Sequence, residues 1–138
     1  MEDVDSLPSQ RKALLFEAGG VRLALRLSHV RKIVAAVGDE AELWVDGVAM
    51  AALPVAVALG RPFGPCHFAV VTEGSPPTAL RVERLLGILD LEVAEVFQLP
   101  AHSLLPQPPP FLSAIVAGGE VALELSPESL GWAMVEAL

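Results

Sequence analysis

Apolar side chains recur at every second position near the start of the chain. Leu14 and Phe16 alternate with smaller or polar neighbours, and after Gly19-Gly20 the residues Leu23, Leu25 and Leu27 alternate with Arg22, Ala24 and Arg26. A period of two belongs to a strand with one buried face, so the pattern predicts strand, turn, strand. Adjacent glycines accept the positive φ that a two-residue hairpin turn requires. Because Val21-Arg22-Leu23 continues as strand and does not open a helix, the glycine pair is a turn and not a phosphate cradle. Ser28 is placed to cap a short helical turn over His29 to Lys32, and Ile33, Val34 and Val37 form the next strand candidate. Leu43-Trp44-Val45 and Val48 to Leu53 flank Asp46-Gly47, a strong two-residue hairpin pair.

Gly60, Pro62, Gly64 and Pro65 then mark a linker at 60–65. Beyond it, strands are expected at Phe68 to Thr72, Thr78 to Glu83, Leu86 to Val93, Ala114 to Ala117 and, after the turn Gly118-Gly119, Val121 to Leu125. Ser126 and Pro127 suit the start of a helix, in which Leu130, Met134 and Leu138 recur at every fourth position. Residues 1–12 lack either period and are expected to be a flexible tail, leaving 13–138 as one domain of two β-barrel subdomains. Many short strands with glycine-rich turns and one terminal helix predict an all-β fold of small barrels joined along a hydrophobic seam.

Composition narrows the function. The chain has 138 residues, 53% hydrophobic and 19% charged, enough apolar material for a core without disulfide staples. A net charge of −8 opposes phosphate binding, so nucleic acid and anionic lipid are not expected partners. Cys66 is the only cysteine, which excludes an internal disulfide and any zinc site needing two thiolates. The acidic start has no basic or apolar stretch of a signal peptide, so a cytoplasmic location is expected. The longest apolar run, Val48 to Leu59, is far short of the ~20 residues that span a bilayer and contains Pro54, so no membrane insertion is expected.

Candidate chemistry is sparse. Cys66 and His67 are neighbours on a strand and point to opposite faces, while His29 and His102 are isolated. No Gly-x-Ser-x-Gly elbow is present, and neither an enzymatic activity nor a cofactor is expected. Asp90, Glu92 and Glu124 read as the polar members of alternating strands on a solvated face. Glu83, between Arg81 and Arg84, reads as an ion-paired or exposed acid. Pro106-Gln107-Pro108-Pro109-Pro110 reads as a stiff connection, with a ligand for an aromatic groove as its alternative.

The order of these motifs resembles the CheW family of chemotaxis coupling proteins. Leu15-Phe16, Leu23, Leu27 and Val30-Arg31-Lys32-Ile33 look like the family's opening hairpin. Gly47-Val48-Ala49-Met50-Ala51-Ala52-Leu53 through Leu59-Gly60 resembles the stretch after its Asn-Leu-Arg-Gly signature. Leu80-Arg81-Val82-Glu83-Arg84-Leu85-Leu86-Gly87-Ile88 resembles its Val-Asp-x-Val-x-Gly-Val stretch, and Phe111 to Leu125 its closing hairpin. The resemblance implies two SH3-like five-stranded barrels with a C-terminal helix. It also implies a non-enzymatic adaptor that binds a histidine kinase regulatory domain, a chemoreceptor tip or a related scaffold.

The chain departs from the family where Asp46 precedes Gly47 in place of the signature Arg, and where Lys32 replaces the usual Glu. Ala51 and Pro54 replace the usual Pro and Asp. Val30, Ile33, Val82 and Leu85 are the expected apolar partner contacts, with Asp46 as the polar one. An acid in place of an arginine fork repels the carboxylates that the arginine would hold, so weak binding of a standard partner is expected, improved by Asp46→Arg. The alternatives are a divergent barrel module that regulates motility or polarity without kinase coupling and, behind it, a small-molecule-binding barrel.

Overall fold

The computed structural model describes residues 11–38, 40–62, 64–73, 77–98 and 111–126. Among them the chain runs β1 (Lys12–Ala18), β2 (Val21–Arg26), a 3-10 turn at Leu27–His29, β3 (Val30–Ala35), β4 (Glu42–Val45), β5 (Val48–Pro54) and a short helix Val55–Ala58. It continues with β6 (Phe68–Thr72), β7 (Ala79–Val82), β8 (Arg84–Asp90), a 3-10 turn at Leu91–Val93, β9 (Glu95–Gln98), β10 (Phe111–Ala117) and β11 (Glu120–Leu125). The fold is all-β.

The strands make two sheets, ordered β8-β1-β2-β11-β10-β9 and β3-β6-β7-β5-β4. Hairpin turns of one kind set the register of the first sheet. Gly19 and Gly20 have φ of 62° and 79°, and Gly118 and Gly119 have 59° and 78°, all in the left-handed region that a side chain would strain. β11 then pairs parallel to β2 through Leu123↔Leu23 and Glu124↔Ala24, so the two ends of the described chain share one sheet. The second sheet contains only the contiguous segment from β3 to β7.

Alternation puts Leu14, Phe16, Leu23, Leu25 and Leu125 of the first sheet against Val70, Leu80 and Val82 of the second, with Val55 between them. This shared core is the hydrophobic seam, and neither sheet could bury that face alone. Each sheet has a second, smaller core on its other face. Ala13, Ala24, Ile115 and Ala122 fill the first, and Val45, Met50, Ala52, Ala69, Val71 and Ala79 the second.

Several expectations need correction. Segment 60–65 falls between β5 and β6 inside the second sheet, so the sheets do not divide there. The chain passes between sheets at Leu27–His29 and at Glu83. The helical turn precedes Val30, and its cap position is Arg26 with no side-chain cap bond, so Ser28 does not cap it. The first strand already begins at Lys12, and Val37 lies beyond β3. β9 has no counterpart in the sequence reading, because Glu95-Val96-Phe97-Gln98 is too short to display a period. Residues 1–10, His102, the proline run 106–110 and the helix expected after Ser126 lie outside the described residues.

Two acids change character. Glu83 Oε2 accepts the backbone N–H groups of Gly19 and Gly64, each at 3.0 Å, while Arg61 Nε donates to Gly19 O at 2.6 Å. Its role is to tie the diglycine turn to the 60–65 segment where the chain changes sheets, and its neighbour Arg84 instead lies 3.7 Å from Glu17. Glu124 is buried, because parallel pairing of β11 with β2 turns it inward beside Arg26.

Candidate functional site

Among the described residues β3 and β4 are the two edge strands of the second sheet, and a strand edge presents backbone groups that can receive a partner. The β4–β5 hairpin turns through Asp46 at φ 53° and Gly47 at φ 79°, the positive pair that an Asp-Gly turn supplies. The turn aims the Asp46 side chain back across the gap to β3. There Lys32 Nζ donates to both carboxylate oxygens, Oδ1 and Oδ2, at 2.9 Å. Arg31, Lys32, Val45, Asp46, Val48, Met50 and Val71 line a cavity of about 90 Å³ beneath this pair, between the two edges. Val45, Met50 and Val71 belong to the second sheet's own core, so the cavity has an apolar floor and a charged rim.

The pairing of β3 with β6 places the expected contacts. Val30 opposes Thr72 and Lys32 opposes Val71, which leaves Arg31 as the extra residue of a bulge. Ile33 opposes Val70. Thr72 and Val70 are two apart on β6 and share a face, so the bulge brings Val30 and Ile33 to one face although three positions separate them. That face is the seam. Val30 is half-buried against the seam core, and Ile33, 38% exposed, lies at its open margin. Val82 opposes Phe68 on the same face and is fully buried, so it offers nothing to a partner. Leu85, opposite Phe16 on β8, is half-buried in the same core. The four apolar candidates therefore converge on the seam, but only Ile33 is exposed.

Trp44, 68% exposed, and Val48, 52% exposed, flank the hairpin turn and were not singled out in the sequence. A signal existed. Trp44 occupies the outward position of a strand whose neighbours Leu43 and Val45 face inward, a place where a polar residue is usual. Among the described residues no cluster of three or more His, Cys, Asp or Glu could hold a metal ion, and no helix is long and apolar enough to cross a membrane.

The crystal structure of the scaffolding protein TtCheW from Thermoanaerobacter tengcongensis superimposes on this chain with a TM-score of 0.68 at 10% identity. It covers 85% of this chain and 89% of that one. The fold is CheW-like. No protein-family model and no curated protein matches the chain by sequence.

Within the CheW-like fold the two charge departures noted in the sequence meet each other. Lys32 and Asp46, the two residues whose charge departs from the resemblance, form an ion pair. Asp46 is therefore not a lone acid facing outward, and Asp46→Arg alone would set two cations together across the gap. Lys32→Glu alone is expected to lower stability by a few tenths of a kcal/mol, as is Asp46→Arg, since pairs this exposed contribute about 0.2–1 kcal/mol. The double variant Lys32→Glu/Asp46→Arg should regain the loss. Urea unfolding of the four proteins measures the coupling, and strict additivity of the single losses would mean that the pair does not exist in solution.

Proposed function

We propose that this chain is a non-enzymatic CheW-type adaptor of bacterial chemosensory signalling, working in the cytoplasm and binding a histidine kinase regulatory domain, a chemoreceptor tip or both. The observation that carries the reading is the CheW-like fold, which extends over most of both chains. Ile33 at the seam margin and Asp46 at the hairpin turn are the partner contacts. Val30, Val82 and Leu85 hold the seam that supports them. Trp44 and Val48 add apolar area at the edge, where a few anchors inside a polar rim carry most of the affinity of a protein interface.

A second reading, a barrel module regulating motility or polarity without kinase coupling, is favoured by the Lys32–Asp46 pair, whose charges depart from the resemblance. The two readings separate in one experiment. The chain is titrated calorimetrically with the kinase regulatory domain and the receptor tip of its own organism. Saturable binding to either, weakened at least tenfold by Ile33→Glu with the melting temperature held, supports coupling. No binding of the folded chain to both partners would overturn it in favour of the second reading.

A further inference from the structure

Arg81 is the largest fully buried side chain among the described residues. It shares a face of the second sheet with Ala79 on its own strand, with Ala69 opposite it on β6, and with Ala52, which pairs with Ala79. All three alanines are completely buried, and their small size leaves the volume that the guanidinium occupies. Arg81 Nε donates to the backbone O of Glu40 at 3.1 Å, but Nη1 and Nη2 are buried with no hydrogen-bond partner. A desolvated guanidinium with two idle donors is costly, and a carboxylate is the group that relieves it, through two parallel charge-assisted bonds.

The Glu40 carboxylate is in place for this. Its Oε2 lies 3.8 Å from Arg81 Nη2, and the side chain is 73% exposed. Gly38 makes the approach possible. Its φ is 133°, and a β-carbon there would come within 3.1 Å of Glu40 Oε1, so the carboxylate rests on a position where a side chain would displace it. The segment containing Gly38 and Glu40 joins β3 to β4, and so connects the two walls of the candidate site. Its other ties are main-chain bonds: Ala36 N to His67 O at 3.0 Å, Gly38 N to Cys66 O at 3.3 Å and Ala52 N to Ala41 O at 2.9 Å.

We propose that Arg81 and Glu40 form a latch that sets the spacing of β3 and β4, exchanging in the free chain between this open arrangement and a closed one, and that a partner docking on those edges holds it closed. In the closed state the Glu40 carboxylate enters the guanidinium fork and accepts from Nη1 and Nη2. Docking on the edges excludes water from Glu40, which removes the hydration that holds the carboxylate outside and strengthens the bonds inside. By linkage, closure then favours docking to the same degree. Arg81 is thus a positioning residue for the site, acting through the β3–β4 connection and touching no partner. The coupling to docking rests on the adaptor reading above, whereas the latch itself is a property of the free chain.

Nitrogen-15 NMR of the free chain tests the latch. Seating of the carboxylate for part of the time slows rotation of the guanidinium, so the Arg81 Nη–H signals of free wild type should be better separated than those of Glu40→Gln. Hydrogen exchange at Gly38 and Ala52 should quicken in that variant while Val70 and Leu80 keep their protection. Glu40→Gln alters an exposed side chain and avoids the folding failure that Arg81→Met risks. Identical Arg81 signals and identical Gly38 exchange in the two proteins would overturn the latch, whatever the chain binds. With the kinase regulatory domain or receptor tip added, Glu40→Gln should weaken binding at least about fivefold, the low end of ordinary coupling. Saturation of wild type by a partner without any change in the Arg81 signals would overturn the coupling.

Discussion

Arg26→Met is expected to destabilise the protein by about 3 kcal/mol, the low end of the cost of stripping one member from a buried ion pair. Glu124 is 3% exposed, and Arg26 Nε donates to its Oε2 at 2.8 Å while Ser113 Oγ donates to its Oε1 at 2.6 Å. Removing the cation leaves a carboxylate inside the first sheet's own core with a single hydroxyl for company. The low end applies because Arg26 is itself about one-third exposed, at 32%, and water already screens part of the pair. In a thermal melt this loss should appear as a fall of roughly 10 °C. Glu124→Gln introduced into Arg26→Met should recover part of it, because an amide needs no counter-charge. If the double variant is as unstable as the sum of the two single losses, the pair is not the source of the effect.

Gly87→Val is expected to cost about 1–3 kcal/mol through backbone strain alone. Gly87 has φ 139°, and the β1–β8 register places Leu15 opposite Gly87 and Phe16 opposite Leu85, leaving Leu86 as the extra residue of a bulge. A β-carbon at Gly87 would meet nothing within 4 Å, so a clash is not involved. A β-branched residue tolerates this region of φ poorly, whereas the space around the site would admit it. Cys66→Ser and His102→Ala should each cost less. Equal melting temperatures for the three variants would mean that the bulge relaxes without penalty and that Gly87 has no special backbone role.

The strands that could be read in advance were those with enough residues to display a period of two between turns of restricted chemistry. β1 and β2 around Gly19-Gly20, β4 and β5 around Asp46-Gly47, and β10 and β11 around Gly118-Gly119 are local hairpins, in which register follows from a two-residue turn. β6 was legible because Phe68 to Thr72 is a continuous apolar run. β9 was not, since four residues with one fully apolar pair look the same in a loop. The 60–65 segment looked like a boundary because glycine and proline mark irregular backbone, and irregular backbone occurs within a sheet's connections as readily as between sheets.

The amino-acid order by itself determined the all-β class, the positive-φ turns and the apolar faces of most strands. Each of these depends on neighbours a few positions apart. Tertiary structure alone decided which strands share a sheet, because the parallel pairing of β2 with β11 joins residues about a hundred positions apart. That pairing buried Glu124 beside Arg26, where alternation had placed it in solvent. The bulge at Arg31 gathered Val30 and Ile33 onto the seam, and the twist of the hairpin carried Asp46 to Lys32. It likewise decided that Val82 supports the seam from inside while Ile33 and Trp44 face outward. A strand's period says that one face is apolar, and only the packing of the other sheet says which part of that face remains uncovered.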